Sequence, residues 1–293
     1  MAVMPDGDDS RSKLPGGNAL YRSRPVQVRD GRVDSHPMAI TNEVCSPAEA
    51  AIDPIGRATL EIFAENENYT RFIWRSLQNL VLPRGKVLEL GCGIGNLTRL
   101  ILEERGVTSV HGVDMDPVYV ERLLAALADP RLSASAIGFE KFSPPDFSEA
   151  ADESYDTIVC SNVLEHIEDD RGAMVNIARM LRPGGEALIL VPAHHWLFCD
   201  LDRNLSHYRR YSASDLHLLE EECGLEILRV RYFNPLGVLG WWVNGKVLGR
   251  GVLPAGQVSI YSRFAIPVSS FLDRLNPFSL GISLLALFRK RET

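Results

Sequence analysis

The chain has 293 residues, 45% of them hydrophobic and 24% charged, with a formal net charge of −7 at pH 7. That length and balance suit one large α/β domain with extensions and a sizeable core, while the acidic excess argues against nucleic acid as a partner. No apolar run approaches the roughly 18 residues of a membrane-spanning helix, the N-terminus carries no apolar signal core, and the five scattered cysteines lack metal-site spacing, so a cytoplasmic protein with reduced thiols and no bound metal is expected.

Residues 1–45 are rich in Gly, Pro, Asp, Ser and Arg and show little apolar periodicity, the composition of a flexible arm. From 46 to 82 the pattern turns helical: Ile62, Phe63, Tyr69, Phe72, Ile73, Leu77 and Leu80 recur near a helical period and predict a helical cover. Strands and helices then alternate over a core spanning 83–233. Strands are predicted at 86–90, 109–113, 132–137, 155–160, 186–191 and 225–233, and helices at 96–105, 117–127, 171–181 and 212–223. The helix before 182–185 is stopped by RPGG, and Gly224 ends the helix that the serines near 212 can cap. A last strand and tail occupy 281–293. Such alternation indicates a mostly parallel sheet with helices on both faces.

The stretch VLELGCGIGN, residues 87–96, ends a predicted strand and opens a predicted helix with three glycines between them. Glycine lets a ligand approach the backbone, and the free N–H groups at a helix start face whatever binds there. Asp114 closes the next predicted strand, where a carboxylate can accept both hydroxyls of a ribose. Two cofactors compete for this site. A dinucleotide fingerprint wants glycine at the position held by Asn96, and an acid such as Glu89 sits badly beside a pyrophosphate. Glu89 sits well beside the ammonium of S-adenosylmethionine, which has no phosphates. An NAD-dependent oxidoreductase and a non-catalytic cofactor-binding protein stand as the alternatives.

VLELGCGIGNLT, VHGVDMDP, YDTIVCSNVLEHIEDD and LRPGGEALILVP resemble, in order and spacing, the motifs of class I S-adenosylmethionine-dependent methyltransferases, with the nearest likeness to the ubiquinone-biosynthesis-type small-molecule branch, over roughly residues 60–233. The resemblance implies a doubly wound, Rossmann-like, seven-stranded sheet whose last strand is inserted antiparallel beside the fifth. It places Glu89 and Gly91 at the aminoacyl end of the cofactor, Gly93 under the adenosine, Asp114 on the ribose, Met115 beside the adenine and Asn162 beside the methionyl part, and Asn96 joins this cofactor set at the helix start. The family's adenine-reading acid is replaced after the third strand by Phe139 and Glu140, which can stack and hydrogen-bond instead.

Methyl transfer to a protonated nucleophile calls for alignment, exclusion of water and a base. Glu165 and His166, after the fourth strand, and His194 and His195, after the fifth, are the candidates, each against the simpler role of helix capping or local bonding. Adjacent histidines point in different directions, so one of the pair is expected in the site. In HYRRY, residues 207–211, His207, Tyr208, Arg209 and Arg210 form a candidate acceptor site for a phosphate or carboxylate, or else pair with the acids of 200–222. The segment 234–280, with Trp241, Trp242, Phe264 and Phe271 among scattered arginines, reads as a lid, a homo-oligomer surface, a peripheral membrane patch or a self-buried helical extension. The expected activity is methyl transfer to oxygen or carbon of a small, apolar, anionic acceptor, isoprenoid-like or polyketide-like in character.

Overall fold

Among the residues that the computed structural model describes (61–62, 66–137, 152–275 and 280–292), seven strands pair into one sheet. They are β1 (Gly85–Leu90), β2 (Val107–Asp114), β3 (Leu132–Ala136), β4 (Tyr155–Ser161), β5 (Leu181–Pro192), β6 (Leu225–Phe233) and β7 (Ser283–Lys290). Their order is β3-β2-β1-β4-β5-β7-β6. The first five run parallel, and β7 lies antiparallel between β5 and β6, as the resemblance implied.

The sheet is covered on both faces because its strands are apolar on both faces. Leu88, Ile158 and Ile189 point to one side, where they meet Met174, Ile177 and Leu216. Their chain neighbours Val87, Val159, Leu188 and Leu190 point to the other, where they meet Phe72, Leu77, Leu100 and Ile101. This is the period of two of an extended chain, applied to runs with no polar face.

Helices join the parallel strands, and their starts carry the expected chemistry. In α1 (Glu67–Gln78) the Asn66 side chain accepts from Tyr69 N. In α3 (Pro117–Ala126) the Asp116 side chain accepts from Val118 N ahead of Pro117. In α4 (Asp170–Met180) Asp169 accepts from Gly172 N. α2 (Asn96–Leu102) has no side-chain cap; Gly95 precedes it in the left-handed region. It ends earlier than the predicted 105. The short α5 (Asp200–Asn204) and α6 (Ala213–Cys223) follow β5; Ser212 and Asp215 form a capping box on α6, and Gly224 closes it with φ +73°. β5 begins earlier than predicted: Leu181 pairs with Tyr155, the ladder slips across Pro183-Gly184-Gly185, and Glu186 resumes opposite Thr157.

The late segment is helical. α7 (Pro235–Trp241) continues into a π-helical turn at Trp242–Val247. α8 (Ala255–Ile260), a second π-helical turn at Tyr261–Ala265 and α9 (Ile266–Leu275) follow without a break. Asn234 ties this segment together. Its side chain accepts from Gly237 N, Ser269 Oγ and the Tyr261 hydroxyl, and α9 packs on α1. None of the described helices is long and apolar enough to cross a membrane. The expected arm at 1–45, most of the segment before 67, and Phe139 and Glu140 lie outside the described residues.

Gly281 sets the entry into β7. A Cβ there would fall 2.3 Å from Phe233 N and 2.4 Å from Phe233 O, which are backbone atoms that cannot swing away. Gly281→Ala is expected to destabilise the fold by about 1–3 kcal/mol, read as a lowered denaturant midpoint. Gly256→Ala, where a Cβ meets nothing within 4 Å, should leave the midpoint unchanged or raise it.

Candidate active site

A cavity of about 370 Å³ opens at the C-terminal ends of β1, β4 and β5, roofed by α1 and by the late helices. This is the end at which parallel α/β sheets hold ligands, because the strand-to-helix loops there are free of core duties. Glu89, Gly91, Gly93 and Asn96 from the β1 loop line it, with Asn162 and Glu165 from the β4 end, His207 and Arg210 from the β5 side, and Trp241 from α7.

The glycines divide their work. Gly91, at φ +72°, packs so closely that a Cβ would strike Val163 Cγ2 at 2.2 Å. At Gly95 a Cβ would strike Leu123 Cδ1 at 2.3 Å, so this glycine seats the loop on α3. Gly93 differs: a Cβ there would meet nothing within 4 Å, so bare backbone faces the open cavity. Its N–H donates to Asp114 Oδ2 at 2.8 Å, while Asp114 Oδ1 accepts from Asp116 N at 3.0 Å. Asp114 is buried, does not line the cavity, and is held above the usual carboxylate range chiefly by burial. Met115 is exposed and also off the cavity.

Two buried carboxylates face the cavity. Glu89 accepts from Thr98 Oγ1 at 2.6 Å, and among the described residues no basic side chain pairs with it. Burial pushes its pKa up to about 8, a tendency that the Thr98 bond opposes and the Asp114 charge reinforces. A buried acid with no counter-charge, beside bare backbone, fits a ligand with a cationic end; it does not fit a phosphate. Glu165 sits in a one-turn 3₁₀ helix, Leu164–His166, fully buried, and neither of its oxygens has a hydrogen-bond partner. Burial lifts it to about 7, against the pull of His207 and Arg210 and with the push of Asp202.

Asp202 organises this second acid. It is completely buried at the start of α5. Its Oδ1 accepts from Arg210 Nε at 2.7 Å and lies 3.2 Å from His207 Nδ1; its Oδ2 accepts from Cys199 N at 2.9 Å and Trp241 Nε1 at 3.2 Å. Burial would raise its pKa, but His207 and Arg210 outweigh that and hold it low. His207 Nε2 then stands 4.0 Å from Glu165 Oε1. His166 packs edge-on against His207, rings 4.7 Å apart, and burial drives it down to about 3. Glu165, His166 and His207 bring one ligand atom each within 4.8 Å of one another, a spacing at which a cation could lie between them.

Several expected residues lie elsewhere. His194, at φ +66°, stacks flat on Tyr232 at 4.9 Å and does not line the cavity. His195 is exposed and pairs with Asp215, the capping acid of α6, at 2.7 Å. Tyr208 is exposed. Arg209 is taken up by Asp170 at 2.7 Å and the Glu168 carbonyl at 2.6 Å. The arginine pair expected to grip an anion is therefore split. Arg210 alone turns inward, and it spends its fork on Asp202 and the Ala193 carbonyl while its face covers Trp241 at 4.7 Å. Sequence reasoning missed Asp202. Its only signal was an acid in an apolar-polar run, DLDRN, among several other acids.

The profile of the methyltransferase-domain family matches residues 63–230, more than half of the chain. Ubiquinone biosynthesis O-methyltransferase from Aliivibrio fischeri is 30% identical over 125 residues, a match that spans 42% of this chain and 47% of that enzyme. Among solved structures, an S-adenosylmethionine-dependent methyltransferase from Mesorhizobium loti aligns with a TM-score of 0.53 at 19% identity, covering 75% of this chain and 98% of that one. A phosphoethanolamine N-methyltransferase from Haemonchus contortus, in complex with phosphomonomethylethanolamine and S-adenosylhomocysteine, aligns with a TM-score of 0.56 at 18% identity, covering 82% and 59%. At those identities the structural likeness shows the fold.

The Asp202 hub carries its own test. Asp202→Ala strands a buried arginine and is expected to cost about 3–5 kcal/mol in chemical denaturation. Asp202→Leu combined with Arg210→Met, which removes both charges, should recover a large part of that loss. Equal losses in the single and double variants would show that packing, and not the charge pair, sets the stability here.

Proposed function

The chain belongs to the methyltransferase-domain family and is a class I S-adenosylmethionine-dependent methyltransferase, and from that premise we propose that it methylates a hydroxyl oxygen of a small, apolar acceptor, with Glu165 as the proton acceptor. When bound, S-adenosylmethionine supplies an electrophilic methyl group on a sulfonium. Glu89 is assigned to the ammonium, Gly93 to the adenosine side and Asn162 to the methionyl part, all three being cavity residues. Asp114 is assigned to the ribose: a carboxylate accepts at about four positions, and Gly93 and Asp116 use two of them.

The acceptor side of the cavity is walled by Ile73, Trp241, Val258 and Tyr261, which favours an apolar body. The observation that carries the assignment of the base is Glu165, buried and without a hydrogen-bond partner beside the cavity. As the acceptor oxygen bonds to the methyl carbon and the carbon–sulfur bond breaks, Glu165 receives the hydroxyl proton. His207 stands next in line at Nε2, and Asp202 at its Nδ1 fixes the ring and the tautomer. The likeness to an O-methyltransferase of ubiquinone biosynthesis supports oxygen over carbon. Glu89 argues against the dinucleotide rival, because its carboxylate faces the cavity where a pyrophosphate would lie.

Two measurements test this. With an acceptor found in a panel of apolar phenols and enols, Glu165→Gln should lower turnover by about 10²–10⁴-fold while the cofactor Kd holds. The wild-type rate should rise with pH through about 7, because the ionised carboxylate is the base and burial has raised its pKa to that range; His207, Arg210 and Asp202 are the charged groups facing it. Near-normal turnover of the variant would overturn the base and point to an acceptor that arrives ionised. Separately, burial pushes Glu89 up to about 8, so its neutral form is expected to dominate in the free protein at pH 7, and a cationic ligand favours its ionised form. Calorimetry of S-adenosylmethionine binding at pH 7 in buffers of different ionisation enthalpy should therefore show release of close to one proton, with affinity strengthening as pH rises toward 8. No proton release, or tighter binding of NAD, would count against the cofactor assignment.

A further inference from the structure

The stretch from α8 through α9 carries apolar side chains on its outer face as well as on its buried one. Ile260, Phe264, Val268, Phe271 and Leu275 recur every three or four residues, and each is more than half exposed. That spacing puts them on one face of a continuous helix. The opposite face, packed on the fold, buries Val258 and Ile266 with two serines: Ser262 Oγ donates to the Val258 carbonyl at 2.9 Å, and Ser269 Oγ donates to Asn234 Oδ1 at 2.8 Å. A surface helix packed on a fold normally presents a polar outer face to water. Trp242, in the π-helical turn after α7, is also exposed. Contiguous apolar surface of this kind marks an interaction site.

Charge selects the occupant. Between 234 and 275 the chain carries Lys246, Arg250, Arg263 and Arg274 against one acid, Asp273, although the whole protein has a net charge of −7. Asp273 is turned inward, where it accepts from Asn234 N at 2.9 Å. Arg263 and Arg274 are exposed and flank the stripe. A second copy of this face would bring like charges together. An anionic lipid surface would take the apolar stripe into its acyl boundary and the arginines among its headgroups.

We propose that residues 239–275 dock this protein onto an anionic membrane surface as a monotopic, in-plane element. The same helices contribute Trp241, Val258 and Tyr261 to the cavity wall, so docking sets the cavity within about one helix diameter, roughly 10 Å, of the lipid. An apolar acceptor dissolved in the bilayer would then have a short path to the site; this last point rests on the methyl-transfer assignment, whereas docking does not.

The test is co-sedimentation of the full chain with vesicles of phosphatidylcholine alone and of phosphatidylcholine with one-quarter phosphatidylglycerol. Binding is expected to the anionic vesicles, falling as salt is raised. Phe264→Ser with Phe271→Ser should weaken it at least about tenfold, and Arg263→Glu with Arg274→Glu should abolish the preference for anionic lipid. Both pairs are exposed and away from the cavity, so melting temperature and the Kd for S-adenosylmethionine should hold, which keeps a failure of docking distinct from a failure of the cofactor assignment. No vesicle binding by the full chain, or equal binding to both vesicle types, would overturn the proposal. So would a stable dimer that Phe264→Ser with Phe271→Ser converts to monomer, because the stripe would then be covered by a second copy.

Discussion

Asp202 is a carboxylate with no exposed surface, and it survives burial because donors surround it: Arg210, His207, Cys199 N and Sγ, and the Trp241 indole. Those donors come from the segment after β5, the approach to α6 and the late insertion. An ion taken out of water is tolerated only when nearly every lone pair is satisfied. Satisfying this one obliges three separate parts of the chain to converge at one point. Arg210 extends the constraint to the end of β5 through the Ala193 carbonyl, and Tyr211 carries it to the β4 side through Leu164 O and Asp170. The wall of the cavity opposite the glycine loop is thus held by polar bonds and not by packing alone.

Set beside Asp202, the two buried acids that line the cavity show how environment separates like groups. Asp202, surrounded by donors, is kept below the carboxylate range. Glu165 has no hydrogen-bond partner and is lifted to about 7, and Glu89 has a single neutral donor and is lifted to about 8. Donors set Asp202 apart; between the other two, Glu165 lies lower although it receives no donor, because His207 and Arg210 pull it down while the Asp114 charge pushes Glu89 up. An acid left short of donors inside a fold is a cost to folding, and a binding cavity is where such a cost has a use. Glu89 is poised for a cation, and Glu165 for a proton.

The late insertion adds a different economy. Its polar residues, Asn234, Ser262, Ser269 and Asp273, turn inward and bond to one another and to backbone beside Trp241, Val258, Tyr261 and Ile266, while Trp242, Ile260, Phe264, Val268, Phe271 and Leu275 stay exposed. Inside, these bonds hold α7, Tyr261 and α9 to one asparagine, so the roof of the cavity is fixed by hydrogen bonds. Outside, the apolar stripe is left over.

Periodicity and glycine placement were enough to read the strands, their flanking helices and the nucleotide-sized loop, because these depend on residues within one or two turns of each other; the strand order and the antiparallel β7 came with the family resemblance. Runs such as those of β4 and β5 bury both faces whatever lies around them, and Gly91, Gly93 and Gly95 all sit at positive φ, a local demand that glycine meets. The direction of single side chains after β5 was not legible. In HYRRY, Tyr211 is bridged to Ala193, and the two arginines part: Arg209 goes to Asp170, and Arg210 goes to Asp202. Which of the two goes in depends on register against β5, a contact with a strand that lies well upstream in the chain. His194 and His195 were equally ambiguous until φ +66° at His194 laid its ring on Tyr232 and left His195 to Asp215. Asp202 stood out least in the sequence, because an acid among acids looks solvated. Only folding brings its donors to it, and a charge acquires a role in the interior when partners distant in sequence replace the water it loses.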